Sequence, residues 1–180
     1  KNLNIPIRII VLKARREGIS TQCSAYGFEK TARHANMNGQ TVAHEPKATA
    51  EIFDMTKLFY DELPMGGRPM KKYDNKQQLS FENPDEFTKK KNPGLRSKIA
   101  IATAEKLEFG RGINIHFFHG SEIAYWRDAK TLMLSVMQAV PNLPNTIVIL
   151  ESTANGIAGK GKYFYDKVKE AEKGKSDFVL

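Results

Sequence analysis

Short apolar runs alternate with amphipathic segments along the chain. Ile7 to Leu12 (IRIIVL) is a continuous β-branched run, which is typical of a strand buried on both faces of a parallel sheet. The pattern predicts strands at 7–12, 40–44, 97–103, 113–118 and 146–150, and helices at 20–36, 46–63, 128–138 and 163–173. The last apolar triplet, Phe178 to Leu180, is typical of a further strand that is just beginning.

The segment at about 64–96 departs from this alternation. It contains Gly66-Gly67, a polar centre and the run Lys89 to Lys91, so we expect an irregular or hairpin insertion with a short strand at QLSFEN. The lysines are either a solvated face or a contact with a nucleic-acid backbone. In the helix that precedes this segment, an apolar stripe predicted to face the core comprises Ile52, Met55, Leu58 and Phe59.

The alternation of strands and helices along the chain predicts an α/β fold with a mostly parallel central sheet. The 180 residues, of which 41% are hydrophobic, are enough for one core, so we expect a single domain over 1–180. Ligands of such sheets bind beyond the carboxyl ends of the strands. Polar clusters follow three predicted strands, at Lys13, at Ser121-Glu122 and at Ser152-Thr153, and these strand ends are the predicted site.

Composition narrows the class of protein. The net charge of +8 favours a polyanionic partner, because Lys and Arg release counterions condensed on phosphate backbones. No apolar run reaches the roughly 18 residues of a membrane span, and the N-terminus has no cleavage pattern, so a soluble intracellular protein is predicted. The one cysteine, Cys23, is predicted to be a buried thiol. The four histidines have no ligand spacing that predicts a zinc site.

The stretch LKARREGIST, at 12–21, is similar to a phosphate-binding loop, G-x-x-x-x-G-K-[ST]. Lys13 stands in place of the first glycine, Gly18 is the second, Ile19 stands in place of the lysine, and Ser20 is retained. A lysine at the start of the loop can reach the same phosphates, because backbone N–H groups and the helix N-terminus form the rest of the site. Ser20, or its neighbour Thr21, would offer a hydroxyl to Mg²⁺.

Two arginines lie in the same loop. Arg15 and Arg16 repel each other unless an anion is nearby, and either could stabilise a transition state in cis. The alternative is that both are solvated surface residues.

Glu122 follows an apolar strand, as does the second acidic residue of a Walker B element. Ser121 stands in the first position, where an acid normally holds the metal, and a serine is a weak Mg²⁺ ligand. Ser152 and Thr153 could sense a γ-phosphate by hydrogen bonding. The alternatives are a solvent-facing glutamate and ordinary capping residues.

Together these motifs resemble the ATPase domain of the large terminase subunit of tailed bacteriophages. VLKARREGIST is similar to its variant Walker A loop, HGSEIAYW to its Walker B region, and VILESTANG to its coupling motif, and the GRG turn precedes the second motif as expected. The resemblance implies a P-loop NTPase fold of the RecA-like (ASCE) type. It implies Glu122 and Arg15 as catalytic residues, Ser152 and Thr153 as coupling residues, and Ser20 and Ser121 beside Mg²⁺. It places ATP phosphates on Lys13, Ala14, Arg16, Glu17, Gly18, Ile19, Ser20 and Thr21.

The resemblance also implies the function of the protein. ATP hydrolysis would drive translocation of double-stranded DNA into the procapsid, with the portal protein, the small terminase subunit and a homo-oligomeric ring as partners, in the host cell cytoplasm and transiently at the portal. The upstream adenine motif and the C-terminal RNase H-like nuclease domain have no counterpart here, so we expect a fragment. The alternatives are a helicase- or recombinase-like DNA-dependent ATPase and a DNA-binding or assembly module that no longer hydrolyses ATP.

Overall fold

The structure is a computed structural model that describes residues 5–106 and 113–180. Within these ranges the strands are β1 (Ile7–Leu12), β2 (Asn38–Ala43), β3 (Tyr73–Asp74), β4 (Gln78–Glu82), β5 (Gly94–Thr103), β6 (Phe117–Ser121) and β7 (Ile147–Ser152). The α-helices are α1 (Ile19–Arg33), α2 (Pro46–Asp61), α3 (Ala129–Ala139) and α4 (Lys162–Glu172). None of the described helices has both the length and the apolar character needed to cross a membrane.

One sheet of seven strands runs through the protein, in the order β1-β7-β6-β2-β5-β4-β3. The neighbouring strands β1, β7, β6, β2 and β5 pair in parallel, whereas β4 and β3 are antiparallel strands added at the β5 edge. The predicted α/β fold with a mostly parallel sheet is therefore confirmed. Because β7 lies between β1 and β6, the carboxyl ends of these three strands are adjacent.

Alternate residues of the strands pack against helices on opposite faces of the sheet. On one face, Phe118, Val148 and Leu150 belong to a buried cluster with Met133 of α3 and Phe164 of α4. On the other face, Phe117, Ile147 and Ile149 pack with Cys23 of α1, which is buried as predicted. Since side chains alternate along a strand, the odd-numbered residues of β7 face α1 and the even-numbered residues face α3 and α4.

Two of the predicted strands end later than expected, and both of these ends border the site. The predicted strand at 113–118 begins only at Phe117 and continues through Ser121, so Ser121 lies within the sheet. The predicted strand at 146–150 continues through Ser152, so Glu151 also lies within the sheet. Pairing with the neighbouring strands decides these ends: Ser121 is the register partner of Glu151, and Leu12 is the register partner of Ser152. The predicted GRG turn lies outside the described residues.

The segment predicted as an insertion extends the central sheet. Strand β4 coincides with the predicted QLSFEN strand and pairs antiparallel with β5, which begins at Gly94 and not at 97. The ring of Phe81 stacks on Tyr60 of α2 with centroids 6.0 Å apart. The buried residues of α2 are Ile52, Phe53, Thr56 and Tyr60, so the helix face that packs on the sheet includes this contact. Leu58, predicted to face the core, is 54% exposed.

The end of the chain lies beside β1. Val179 forms an isolated parallel bridge with Ile9, its N–H donates to the carbonyl of Arg8 and its carbonyl accepts from the N–H of Ile10. The predicted strand at 178–180 is thus a single bridge at the outer edge of the sheet.

Helix α1 packs closely on β6 at Gly27, and replacement of this glycine tests the packing. A Cβ at Gly27 would lie closer than 3.0 Å to ring carbons of the buried Phe117. We expect Gly27→Ala to lower the free energy of unfolding by about 1–2 kcal/mol, because overpacking outweighs the helix propensity gained. Urea denaturation measures the effect, with Gly66→Ala as the control, because a Cβ there meets open space. Equal or greater stability of Gly27→Ala would contradict the described packing.

Candidate functional site

The predicted polar residues converge at the carboxyl ends of β1, β7 and β6. They border an open cleft of about 340 Å³ whose lining residues are Lys13, Arg15, Arg16, His44, Glu122, Tyr125 and Thr153. The lining therefore includes a side chain from each of the three predicted clusters. His44 and Tyr125 were not predicted; their rings lie 5.8 Å apart at the side of the cleft.

Lys13 is the first residue after β1, and its side chain is only 9% exposed. Its Nζ lies 2.9 Å from Oε1 of Glu122 and 3.1 Å from Oε2 of Glu151. Burial by itself lowers the pKa of Lys13, but the hydrogen bond with Glu122 and the charge of Glu151 outweigh it and raise the pKa. A charged amine is thus fixed between carboxylates from two neighbouring strands.

Glu122 directly follows β6 and has a left-handed backbone with φ 53°. A non-glycine residue in this region is uncommon and is found at functional sites, where the surroundings enforce it. Its Oε2 accepts hydrogen bonds from Ser152 Oγ at 3.2 Å, from the N–H of Thr153 at 3.0 Å and from Thr153 Oγ1 at 3.1 Å. Burial raises the pKa of Glu122, but bonds from Lys13 and the Thr153 backbone outweigh it and lower the pKa, so the group is a carboxylate at neutral pH.

Sequence reasoning assigned no function to Glu151, which is a central residue of the site. Its side chain is fully buried, and Oε1 accepts hydrogen bonds from Ser20 Oγ at 2.8 Å and pairs with His119 Nε2 at 3.3 Å. Burial raises the pKa of Glu151, but hydrogen bonds from His119, Ser121 and Ser20 outweigh it and lower the pKa to about 2. The available signal was a carboxylate that directly continues an apolar strand, since buried glutamates are rare unless paired.

The sequence pattern also predicts no function for His119. It is fully buried on the α1 face of β6. Burial lowers its pKa, but contacts with Cys23 and with the Glu151 carboxylate outweigh this effect and raise the pKa to about 9. Its Nε2 lies 3.3 Å from Oε1 of Glu151, so the imidazole contacts the buried carboxylate directly.

The loop between β1 and α1 is exposed and open to the cleft. Arg16 and Gly18 have left-handed backbones with φ 64° and φ 73°, which shape the turn into α1. Helix α1 begins at Ile19, and among the described residues no side chain caps its first N–H groups. Such free N–H groups are suited to an anion.

The predicted loop residues differ in their exposure and in the groups they contact. Arg15 and Arg16 are exposed and border the cleft, whereas Ala14, Glu17 and Thr21 are exposed and do not line it. Ile19 packs with the apolar residues on the α1 face of the sheet. Ser20 is half-buried and its hydroxyl is directed to Glu151.

Ser121, predicted to lie beside Mg²⁺, is buried at the end of β6, and its carbonyl accepts a 3.1 Å hydrogen bond from Trp126 Nε1. The described parts of the chain contain no cluster of three or more His, Cys, Asp or Glu side chains that could hold a metal ion.

Comparison with solved structures confirms the predicted fold. The chain is similar to the HK97 bacteriophage large terminase, with a TM-score of 0.69, 13% identity and coverage of 97% of this chain and 35% of that protein. It is also similar to two structures of the Thermus phage P74-26 large terminase ATPase domain. Their TM-scores are 0.57 and 0.55 at 14% identity, and the alignments cover 90% of this chain and 64% or 63% of those chains.

The chain therefore shares the fold of these large terminase structures, as the resemblance implied. The chain spans about one third of the HK97 protein. No protein-family model and no curated protein matches the sequence.

Removal of the charge on Lys13 tests the ion-pair network. We expect Lys13→Met to lower the free energy of unfolding by about 3 kcal/mol at pH 7, because two carboxylates lose a buried partner. The pKa values of Glu122 and Glu151 are lowered by folding, so their contribution is complete above the usual glutamate pKa and is lost as the pH falls below it. The difference between wild type and Lys13→Met should therefore shrink between pH 5 and pH 3.

Urea denaturation at pH 7, 5 and 3 measures this difference. Lys47→Met is the matched control, because Lys47 forms a 4.0 Å pair with Glu51 on the surface and is 83% exposed. We expect its effect to stay within about 0.5 kcal/mol. A pH-independent difference for Lys13→Met would show that the lysine contributes packing and not charge.

Proposed function

We propose that this chain is the ATPase motor domain of a phage large terminase and that it hydrolyses ATP to move double-stranded DNA into a procapsid. The observation that supports this most is the 2.9 Å pair between Lys13 and Glu122, which brings the lysine of the variant loop and the glutamate after β6 to one cleft. The terminase fold and the order of the three strand ends agree with it.

MgATP is the substrate in this proposal, and its phosphates bind at the start of α1. Arg15 and Arg16 line the cleft beside Lys13, so three cations face the space above the loop. On binding, phosphate oxygens replace the carboxylates as partners of the Lys13 amine. Mg²⁺, when bound, neutralises phosphate charge, and Ser20 is the loop hydroxyl placed to hold it.

Glu122 acts on the attacking water. Its lowered pKa keeps it a carboxylate at neutral pH, and a carboxylate can orient water and accept its proton. In the resting arrangement all of its described partners are donors from Lys13, Ser152 and Thr153. Release of Lys13 to the phosphates frees one carboxylate oxygen, Oε1, for this function.

Ser152 and Thr153 couple the chemistry to movement. Both donate to Glu122, and the segment that follows is tied to the chain after β6 by a 2.9 Å hydrogen bond from Asn155 to the carbonyl of Ala124. A shift of Glu122 on hydrolysis is thus passed to the residues beyond β7. The net charge of +8 and the lysines at 89–91 support a DNA partner.

The remaining parts of the proposal follow from the resemblance. The motor would form a homo-oligomeric ring at the portal protein, with the small terminase subunit as a further partner, in the host cell cytoplasm. A helicase- or recombinase-like ATPase and a non-hydrolysing DNA-binding module are the competing functions.

Two substitutions test the motor. In the full-length protein, we expect Lys13→Ala and Glu122→Gln each to lower DNA-stimulated ATP turnover by roughly 100-fold or more. Lys13→Ala removes the positive charge that binds phosphate, and Glu122→Gln removes the base. Phosphate release with and without double-stranded DNA measures the effect.

Lys47→Ala and Glu51→Gln change the same residue types on the surface and should retain turnover. Unchanged turnover in the two site variants would exclude the proposed mechanism. Duplex unwinding coupled to hydrolysis would favour the helicase alternative, and a wild-type protein that binds DNA without turnover would favour the non-hydrolysing module.

The two loop arginines should differ in kinetics. We expect Arg15→Ala to lower kcat by roughly 1000-fold with little change in KM, because Arg15 is proposed to stabilise the transition state in cis. Arg16→Ala should mainly raise KM, since Arg16 is proposed to bind phosphate in the ground state. Steady-state rates over a range of ATP concentrations separate the two parameters, and the reverse result would exchange the assignments.

A further inference from the structure

The position before Glu122 lacks the carboxylate that a P-loop ATPase uses for its metal. In P-loop enzymes Mg²⁺ is held by the loop Ser or Thr and by an acidic residue of the Walker B strand. Here the strand ends in Ser121, whose short side chain is neutral. The register partner of Ser121 on the adjacent strand is Glu151.

The Glu151 carboxylate lies where the missing acid would be useful. Its Oε1 accepts a 2.8 Å hydrogen bond from Ser20, the hydroxyl that the loop motif assigns to Mg²⁺. Its Oε2 lies 3.1 Å from the Lys13 amine, which is assigned to phosphate. The carboxylate is therefore adjacent both to the hydroxyl that would hold the metal and to the amine that would bind phosphate.

The charge balance of the site changes when a nucleotide binds. In the resting arrangement Lys13 and His119 face Glu151, and Oε2 has no hydrogen bond within the described residues beyond its ion pair with Lys13. Once Lys13 turns to phosphate, a fully buried carboxylate loses its nearest cation. The carboxylate then keeps His119 at Oε1, but Oε2 has lost its ion pair, so a replacement cation at Oε2 is favoured.

We propose that Glu151 holds the Mg²⁺ of bound MgATP together with Ser20, directly or through bound water, in place of the acid that Ser121 replaces. This inference rests on the proposed ATPase function. His119 is a positioning residue in it, because its Nε2 contacts Oε1 of the carboxylate at 3.3 Å.

Nucleotide binding tests the inference without use of turnover. The affinity of the full chain for ATPγS is measured by calorimetry with Mg²⁺ and with EDTA, and the ratio of the two affinities reports the metal contribution. We expect Glu151→Gln to retain the affinity in EDTA within a few-fold and to lose the Mg²⁺-dependent gain by roughly 10- to 100-fold. Glu122→Gln is the matched control: it loses hydrolysis and retains the Mg²⁺-dependent gain.

A second variant keeps a carboxylate at the site if Glu151→Gln fails to fold. We expect the double variant Ser121→Asp with Glu151→Gln to recover the Mg²⁺-dependent increase in affinity. In this variant the carboxylate is moved from position 151 to its register partner at position 121 on the adjacent strand. An unchanged Mg²⁺-dependent gain in Glu151→Gln would overturn the inference. An equal loss in Mg²⁺ and in EDTA would also overturn it and would assign Glu151 to the positioning of Lys13. Absence of ATPγS binding by the wild type would instead refute the proposed function itself.

Discussion

The site depends on one buried amine that pairs with two carboxylates. Lys13 draws Glu122 and Glu151 from different strands to within 2.9 and 3.1 Å of the same nitrogen. Burial of three charges is costly, and mutual attraction offsets the cost only when the remaining hydrogen-bonding positions are filled. Here Ser152 and Thr153 donate to Glu122, and Ser20 and His119 pair with Oε1 of Glu151, whereas among the described residues Oε2 of Glu151 has only the Lys13 ion pair. The ion pairs therefore fix three strand ends and the first turn of α1 as one unit.

Strand order determines which groups this unit contains. Because β7 lies between β1 and β6, its last residues contact both neighbours. Side chains alternate along a strand, so Glu151 is directed to the α1 face, where Ser20 and His119 lie, and Ser152 is directed to the opposite face. There Ser152 Oγ donates to Glu122 and accepts from the N–H of Ala124. Strand β7 thus places the carboxylate proposed to bind the metal on one face of the sheet and a hydrogen-bond donor to the proposed base, Glu122, on the other.

The sequence predicts those parts of the site whose residues are contiguous in the chain. The loop at 12–21 and the pair Ser152-Thr153 are recognisable because their residues are contiguous, and the parallel sheet follows from the alternation of strands and helices. Glu151 was missed because its partners, Ser20 and His119, lie 131 and 32 positions away and become neighbours only through β7. The predictions for the ends of β6 and for the exposed face of α2 are wrong for the same reason. The ends of β6 depend on pairing with β7, and the exposed face of α2 depends on packing against β4.

The resting ion pairs have a consequence for how such a site would cycle. The Lys13 ammonium has three donors, and two of them are directed at Glu122 and Glu151. In the proposed function, a phosphate that takes more than the third donor releases at least one carboxylate. Release of Glu122 frees a base that remains fixed to Thr153, and release of Glu151 leaves an anion beside Ser20. An exchange that releases both carboxylates would prepare the proposed base and the proposed metal position together, and would make both conditional on phosphate at the loop.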